Sequence, residues 1–356
     1  MAGSKNRGYI AARFYGMRSR LLKVDDYQRL LTSTDLSSLI TNLRGVLTYK
    51  KALEEALLLE DPLTAINSAI NNILSLRMKR ILSFSGGSYY QGFNLMTLRW
   101  ETSNIHLAIR AIIEETTFPL NFIPLGHLNR DELLHLTKLS SLDEALTFLE
   151  STLNPFATAV RSIIEQDIPL SDLNMIDGIF NYHYNKLISK KLETIKNKKI
   201  YAIIKKMINE EREFENTKII LNILGKLSRG KLPSTLNFEK VIIPGKARIK
   251  PEEINEAAKN KDINSLREIL GRTSYREIFD NRVLDTATSR GLHQYVEEVE
   301  RLFYKNQVRK RFKTHSFNLG LAYFWQMLIE ARNLRILTHG IKNFTRDEIE
   351  RRMFYV

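Results

Sequence analysis

Apolar residues recur along this chain at intervals of three and four, and that rhythm predicts helices almost throughout. Tyr9, Ala12, Phe14, Met17 and Leu21 share one side of a first helix, with Arg13, Arg18 and Arg20 opposite. Asp25 and Asp26 read as a stop and a new N-cap before a second helix through Tyr27, Leu30 and Leu31. A helical run opens at Leu36-Ser37-Ser38-Leu39, passes Tyr49 and continues to Leu59. Asp61-Pro62 has the form of a helix start, with Asp as N-cap and Pro at the first helical position. Ile66, Ile70, Ile73, Leu74 and Met78 then predict a helix over 63–82, which Gly86-Gly87 breaks. The next helix covers 91–113, and Pro119 and Pro124 mark a loop.

A second pass begins at Asn129-Arg130-Asp131-Glu132, an N-cap-like start. Asn154-Pro155-Phe156 opens a helix that Pro169 ends, and long helices are predicted over 171–191 and 198–225. Residues 230–250 are the most loop-like, and within them Val241-Ile242-Ile243 is the one run that reads as a strand. Pro251-Glu252-Glu253 starts a third pass in the N1 manner. A helix follows around 294–313, and then residues 323–337, YFWQMLIEARNLRIL. The first half of that segment is apolar nearly all round, which implies burial among other helices. Thr345-Arg346-Asp347-Glu348 has the form of a capping box for a last short helix.

The three passes carry common landmarks in a common order. The first is Leu36-Ser37-Ser38-Leu39, Leu139-Ser140-Ser141-Leu142 and Ile263-Asn264-Ser265-Leu266. The second is an aromatic residue at Tyr49, Phe156 and Tyr275. The third is a Glu-x-x-Asn pair followed by a basic residue: Glu101/Asn104/His106, Glu213/Asn216/Lys218 and Glu330/Asn333/Arg335. The glutamates lie 112 and 117 residues apart, and the aromatic-to-Glu gaps are 52, 57 and 55 residues. This is a threefold internal duplication, with units over 1–125, 126–245 and 246–356. In each pair Glu and Asn stand at i, i+3 on one helix face. A carboxylate and an amide placed there can bond across to a neighbouring helix end or backbone, and the basic residue five positions on is a candidate partner for a buried Glu. Threefold repetition favours a structural clamp over catalysis.

Composition supports the helical reading: eight Pro and sixteen Gly in 356 residues are few for an all-β chain. The expected fold class is all-α. A net charge of +14 favours acidic partners, whether nucleic acid, anionic lipid headgroups or an acidic protein surface. The absence of Cys excludes disulfides, thiolate metal sites and Cys nucleophiles. No phosphate loop, HExxH or GxSxG frame occurs, and the histidines are scattered. No catalytic residue, metal or cofactor is therefore expected. The start of the chain lacks the apolar core of a secretory signal, and the longest uncharged run, 81–98, contains Gly86, Gly87, Gln91 and Asn94 and is a poor membrane span. The lysines of 186–206 and the basic run 305–313 read as solvated helix faces. A basic helical nucleic-acid-binding protein is the alternative that the charge alone leaves open.

The chain resembles the C subunit of A/V-type ATPases, the counterpart of the eukaryotic d subunit. Tyr323-Phe324-Trp325 followed by Glu330-Ala331-Arg332-Asn333-Leu334-Arg335-Ile336 carries the resemblance. Ala12-Arg13…Met17-Arg18-Ser19-Arg20-Leu21-Leu22 and Trp100-Glu101…Asn104-Ile105 extend it. The middle unit departs most, with Thr217 and Lys218 where the first unit has Ile105 and His106 and the third has Leu334 and Arg335. The resemblance implies three similar helical-bundle domains about a pseudo-threefold axis, forming a funnel with a central cavity. It implies a peripheral protein on the cytoplasmic side of the cell membrane that carries no catalysis. It implies a central-stalk role, as one copy joining the D–F shaft to the proteolipid rotor ring in ATP synthesis or ion transport, with no nucleic acid involved. Arg13, Arg18, Arg332 and Arg335 are the candidate partner-contact residues.

Overall fold

The computed structural model describes residues 2–116, 122–165, 173–229, 242–243, 249–279, 289–309 and 316–355. Every regular element among them is an α-helix. They are α1 (Ala2–Arg18), α2 (Val24–Leu30), α3 (Leu36–Arg44), α4 (Leu47–Leu57), α5 (Pro62–Phe84), α6 (Gly87–Ile113), α7 (Arg130–Leu136), α8 (Leu142–Ser151), α9 (Ala157–Glu165), α10 (Leu173–Leu192), α11 (Lys198–Ser228), α12 (Pro251–Lys259), α13 (Ile263–Gly271), α14 (Arg276–Phe279), α15 (Ser289–Arg309), α16 (Ser316–Gly340) and α17 (Arg346–Arg352). After α1, the order of three short helices and two long ones occurs three times.

Local chemistry starts many of these helices where the sequence places the signal. Asp61 accepts from the amides of Leu63 (3.0 Å) and Thr64 (3.3 Å), and Pro62 occupies the first helical position. Asn129 and Glu132 cap α7 reciprocally, at 3.0 and 2.7 Å, and Thr345 and Glu348 do the same for α17. Two expectations are corrected. Asp26 is not an N-cap but the third residue of α2, reaching back to the amide of Lys23 at 2.9 Å. The run from Leu36 is two helices, α3 and α4, divided at Gly45-Val46.

The chain forms two compact units: Met1–Leu139 with Tyr304–Val356, and Ser140–Phe303. In the first, α16 packs against α1 and α5, so the last long helix completes the bundle that the first residues begin. Its core is aromatic: Phe14 meets Phe84, Phe93 and Tyr323 at ring distances of 5.2, 5.5 and 6.1 Å. A side chain at Gly320 of α16 would stand 2.4 Å from Phe93 and 2.6 Å from Phe14, so only glycine permits this approach. In the second unit α11 packs on α12 and α13, and Phe214 stacks on Phe303 at 4.3 Å. The lysines of 186–206 lie on the exposed sides of α10 and α11 or in the turn between them, around buried Ile188, Leu192, Ile200 and Ile204. Of the basic run 305–313, Lys305 and Arg309 are exposed and 310–313 lie outside the described residues, as do Pro119 and Pro169.

Candidate functional site: three Glu–Asn pairs

Each Asn of the repeated pairs sits on a long helix and closes a two-bond ring with one backbone residue downstream. Asn104 of α6 donates to the carbonyl of Ile123 at 2.6 Å and accepts from its amide at 3.0 Å. Asn216 of α11 does the same to Ile243, at 3.0 and 2.9 Å. Asn333 of α16 does so to Phe354, at 2.8 and 3.0 Å. Those three residues lie outside any helix, so their amides and carbonyls lack a helical partner and need one when buried. Asn alone among short side chains offers donor and acceptor side by side; Asp offers only acceptors. Ile242 and Ile243 therefore form no strand: the backbone of Ile243 pairs with a side-chain amide, while Val241 lies outside the described residues.

The glutamates of the pairs diverge. Glu330 is 2% exposed and fully engaged. Its Oε1 accepts from Tyr49 Oη (2.6 Å) and Arg77 Nη1 (2.5 Å), and its Oε2 accepts from the amide of Leu22 (2.7 Å). Burial pulls the Arg77 pKa down, but Glu330 and the nearby phenols outweigh it and the net direction is up. Burial, then the Glu330 charge, pushes the Tyr49 phenol well above its usual value. Glu101 is also buried and contacts His127 Nδ1 at 2.7 Å. Gly126, at φ +119, lets that turn lie over Glu101: a Cβ there would be 2.8 Å from the Glu101 Cβ. Glu213 is half-buried and accepts from the amide (2.9 Å) and hydroxyl (2.8 Å) of Ser274.

The basic residues five positions on do not serve Glu213 or Glu330. Lys218 pairs with Glu215 at 2.8 Å, and Arg335 donates to Asn71 Oδ1 at 2.6 Å. Five helical residues rotate a side chain by about 140°, off the glutamate's face. The partners Arg77, His127 and Ser274 were not anticipated. Arg77 had a readable signal: it follows Ile73 by four and Leu74 by three, a lone cation on the apolar face of α5.

The four candidate arginines divide. Arg332 donates to the carbonyl of Arg352 at 2.9 Å and lies 3.8 Å over the Phe354 ring, and Arg335 is tied to Asn71. Arg13 and Arg18 are exposed, Arg13 over the rings of Tyr9 and Phe84 and Arg18 at a cavity of about 650 Å³ with Tyr15, Lys23 and Glu330. Among the described residues no cluster of three or more His, Asp or Glu fit to hold a metal occurs, and no helix is long and apolar enough to cross a membrane.

In each pair the buried Asn thus fastens the chain's own backbone to a long helix. The chain belongs to the ATP synthase (C/AC39) subunit family, whose model matches residues 10–352. It is thus a subunit of a hetero-oligomeric A/V-type ATPase. No individual curated protein matches it.

Proposed function

We propose that the chain is the non-catalytic central-stalk subunit of a rotary A/V-type ATPase, a socket that joins the D–F shaft to the proteolipid rotor ring on the cytoplasmic face of the membrane. The family match across 10–352 carries this reading. A part that transmits torque needs stiff helices and fixed connections, since packed interiors transmit strain. The recurring Asn clamps supply such connections by fastening a non-helical segment to a long helix in each repeat. The reading includes three similar bundles, over 1–125, 126–245 and 246–356, about a pseudo-threefold axis with a cavity for the shaft tip. Arg13 and Arg18, both exposed, are the candidate contacts for partners. The test is a pull-down of a purified D–F complex and, separately, of detergent-solubilised proteolipid ring at moderate salt. Capture of both supports the socket; capture of neither contradicts it.

A further inference from the structure

None of the chain's 40 acidic residues falls in 1–24, 62–100 or 304–329, and these stretches carry six, four and five Lys or Arg in turn. They supply α1, α5, the first half of α6 and the first half of α16. Far apart in sequence, they are neighbours in the first unit: α1 packs on α16, α16 on α5, and α5 on α6. The inward stripe of α1, Ile10, Phe14 and Met17, is buried, while Arg13 is exposed and Tyr9 is 51% exposed. The last turns of α5 turn Leu76, Lys79, Arg80 and Ser83 outward, spaced to share one side of the helix. Arg13 joins the two helices, its guanidinium 5.4 Å from the centre of the Tyr9 ring and 5.7 Å from that of Phe84 at the end of α5. Asp25 and Asp26 line a cavity that reaches Arg80, but Asp26 is bonded to Arg29 and to the Lys23 amide. Among the described residues no carboxylate pairs with Arg13, Lys79 or Arg80. Cations gathered without acids raise a field of one sign that draws a polyanionic partner. An amphipathic tyrosine ring and a leucine exposed beside them suit the headgroup level of a bilayer, where a polar tip stays wet and an apolar body is covered.

We infer that the outer side of α1 and the last turns of α5 form a surface for anionic lipid headgroups, with Arg13, Lys79 and Arg80 on the phosphates and Tyr9 and Leu76 at headgroup level. The choice of lipid rests on the membrane seat proposed above. The contact itself is with lipid and needs neither the shaft nor the ring.

The test mixes the purified full chain with protein-free vesicles of phosphatidylcholine alone, or of an equimolar mixture with phosphatidylglycerol, and follows co-sedimentation. Binding to the anionic vesicles only is expected, weakening as salt is raised. Reversing two charges in Arg13→Glu/Arg80→Glu should weaken it at least about tenfold, since each basic residue near an anionic surface contributes separately. Lys198→Glu/Lys199→Glu makes the same change in net charge in the second unit and should leave binding unaltered. All four side chains are exposed, so both variants should fold, which an unchanged Tm checks. Absence of binding to the anionic vesicles, an equal loss in the two double variants, or tighter binding to duplex DNA than to the vesicles would overturn the inference. Because the vesicles hold neither shaft nor ring, failure here is a separate result from failure of the socket pull-down.

Discussion

Removing the Glu330 carboxylate strands Arg77, which is buried with no other acid bonded to it among the described residues. Glu330→Gln should therefore cost about 3 kcal/mol or more in chemical denaturation. Combining it with Arg77→Met should cost clearly less than the two single changes together, because the stranded charge is gone. Additive losses would mean that the pair is not coupled. Asn333→Asp tests the clamp: it keeps size and an acceptor but removes the donor to the Phe354 carbonyl. A loss of about 1–3 kcal/mol is expected, with faster hydrogen exchange at the Phe354 amide. Alkaline pH probes the same cluster. Burial pushes Tyr323 up to about 12, and burial followed by the Glu330 charge raises Tyr27 and Tyr49. These phenols hold protons more tightly folded than unfolded. Their stabilisation is whole below the unfolded value of about 10 and is lost as pH climbs through the folded values. Denaturation midpoints should fall between roughly pH 10 and 12, and less so in Tyr323→Phe. The N-cap Asp61, lowered by hydrogen bonds from Thr64, acts in the opposite sense, its contribution present above 3.8 and lost as pH falls below it.

At the scale of elements, the close approach of α16 to α1 and α6 rests on Gly320. Gly320→Ala should destabilise by about 1–3 kcal/mol through overpacking, read as a lower Tm. Leu153, past the end of α8, is 86% exposed at φ +52, a conformation that suits glycine better. Leu153→Gly should raise stability by about 0.5–1 kcal/mol, since little packing is lost. Most helix starts were legible because their signals are local: Asp61-Pro62, Asn129 with Glu132, Thr345 with Glu348. The break at Gly45-Val46 was not, since the apolar rhythm runs on across it. Ile242-Ile243 misled for a related reason: β-branched residues favour extended backbone, but which group satisfies that backbone is decided by Asn216, 27 positions earlier.

On the scale of the whole molecule, the sequence landmarks point to three units, whereas the structure forms two compact ones. The units expected from the landmarks are bounded near 125 and 245, while the compact units divide at 139 and 303. The difference arises because α16 lies in the third expected unit yet packs on α1 and α5, which lie in the first. Glu330 shows the same closure, its partners Leu22, Tyr49 and Arg77 lying more than 250 positions away. Landmarks spaced along a chain report duplication; they carry no information on which helices then meet. The site was legible to the same extent. The Glu–Asn pairs were visible as a pattern, but the distinct partners of each Glu come from other segments and left no local mark. A coupling role is tested most directly by ion transport in reconstituted ATPase assembled with and without this chain. With it, ATP hydrolysis should drive ions across the membrane; without it, the soluble head should still hydrolyse ATP while transport is lost. Full ATP-driven transport in its absence would contradict a coupling role for this chain.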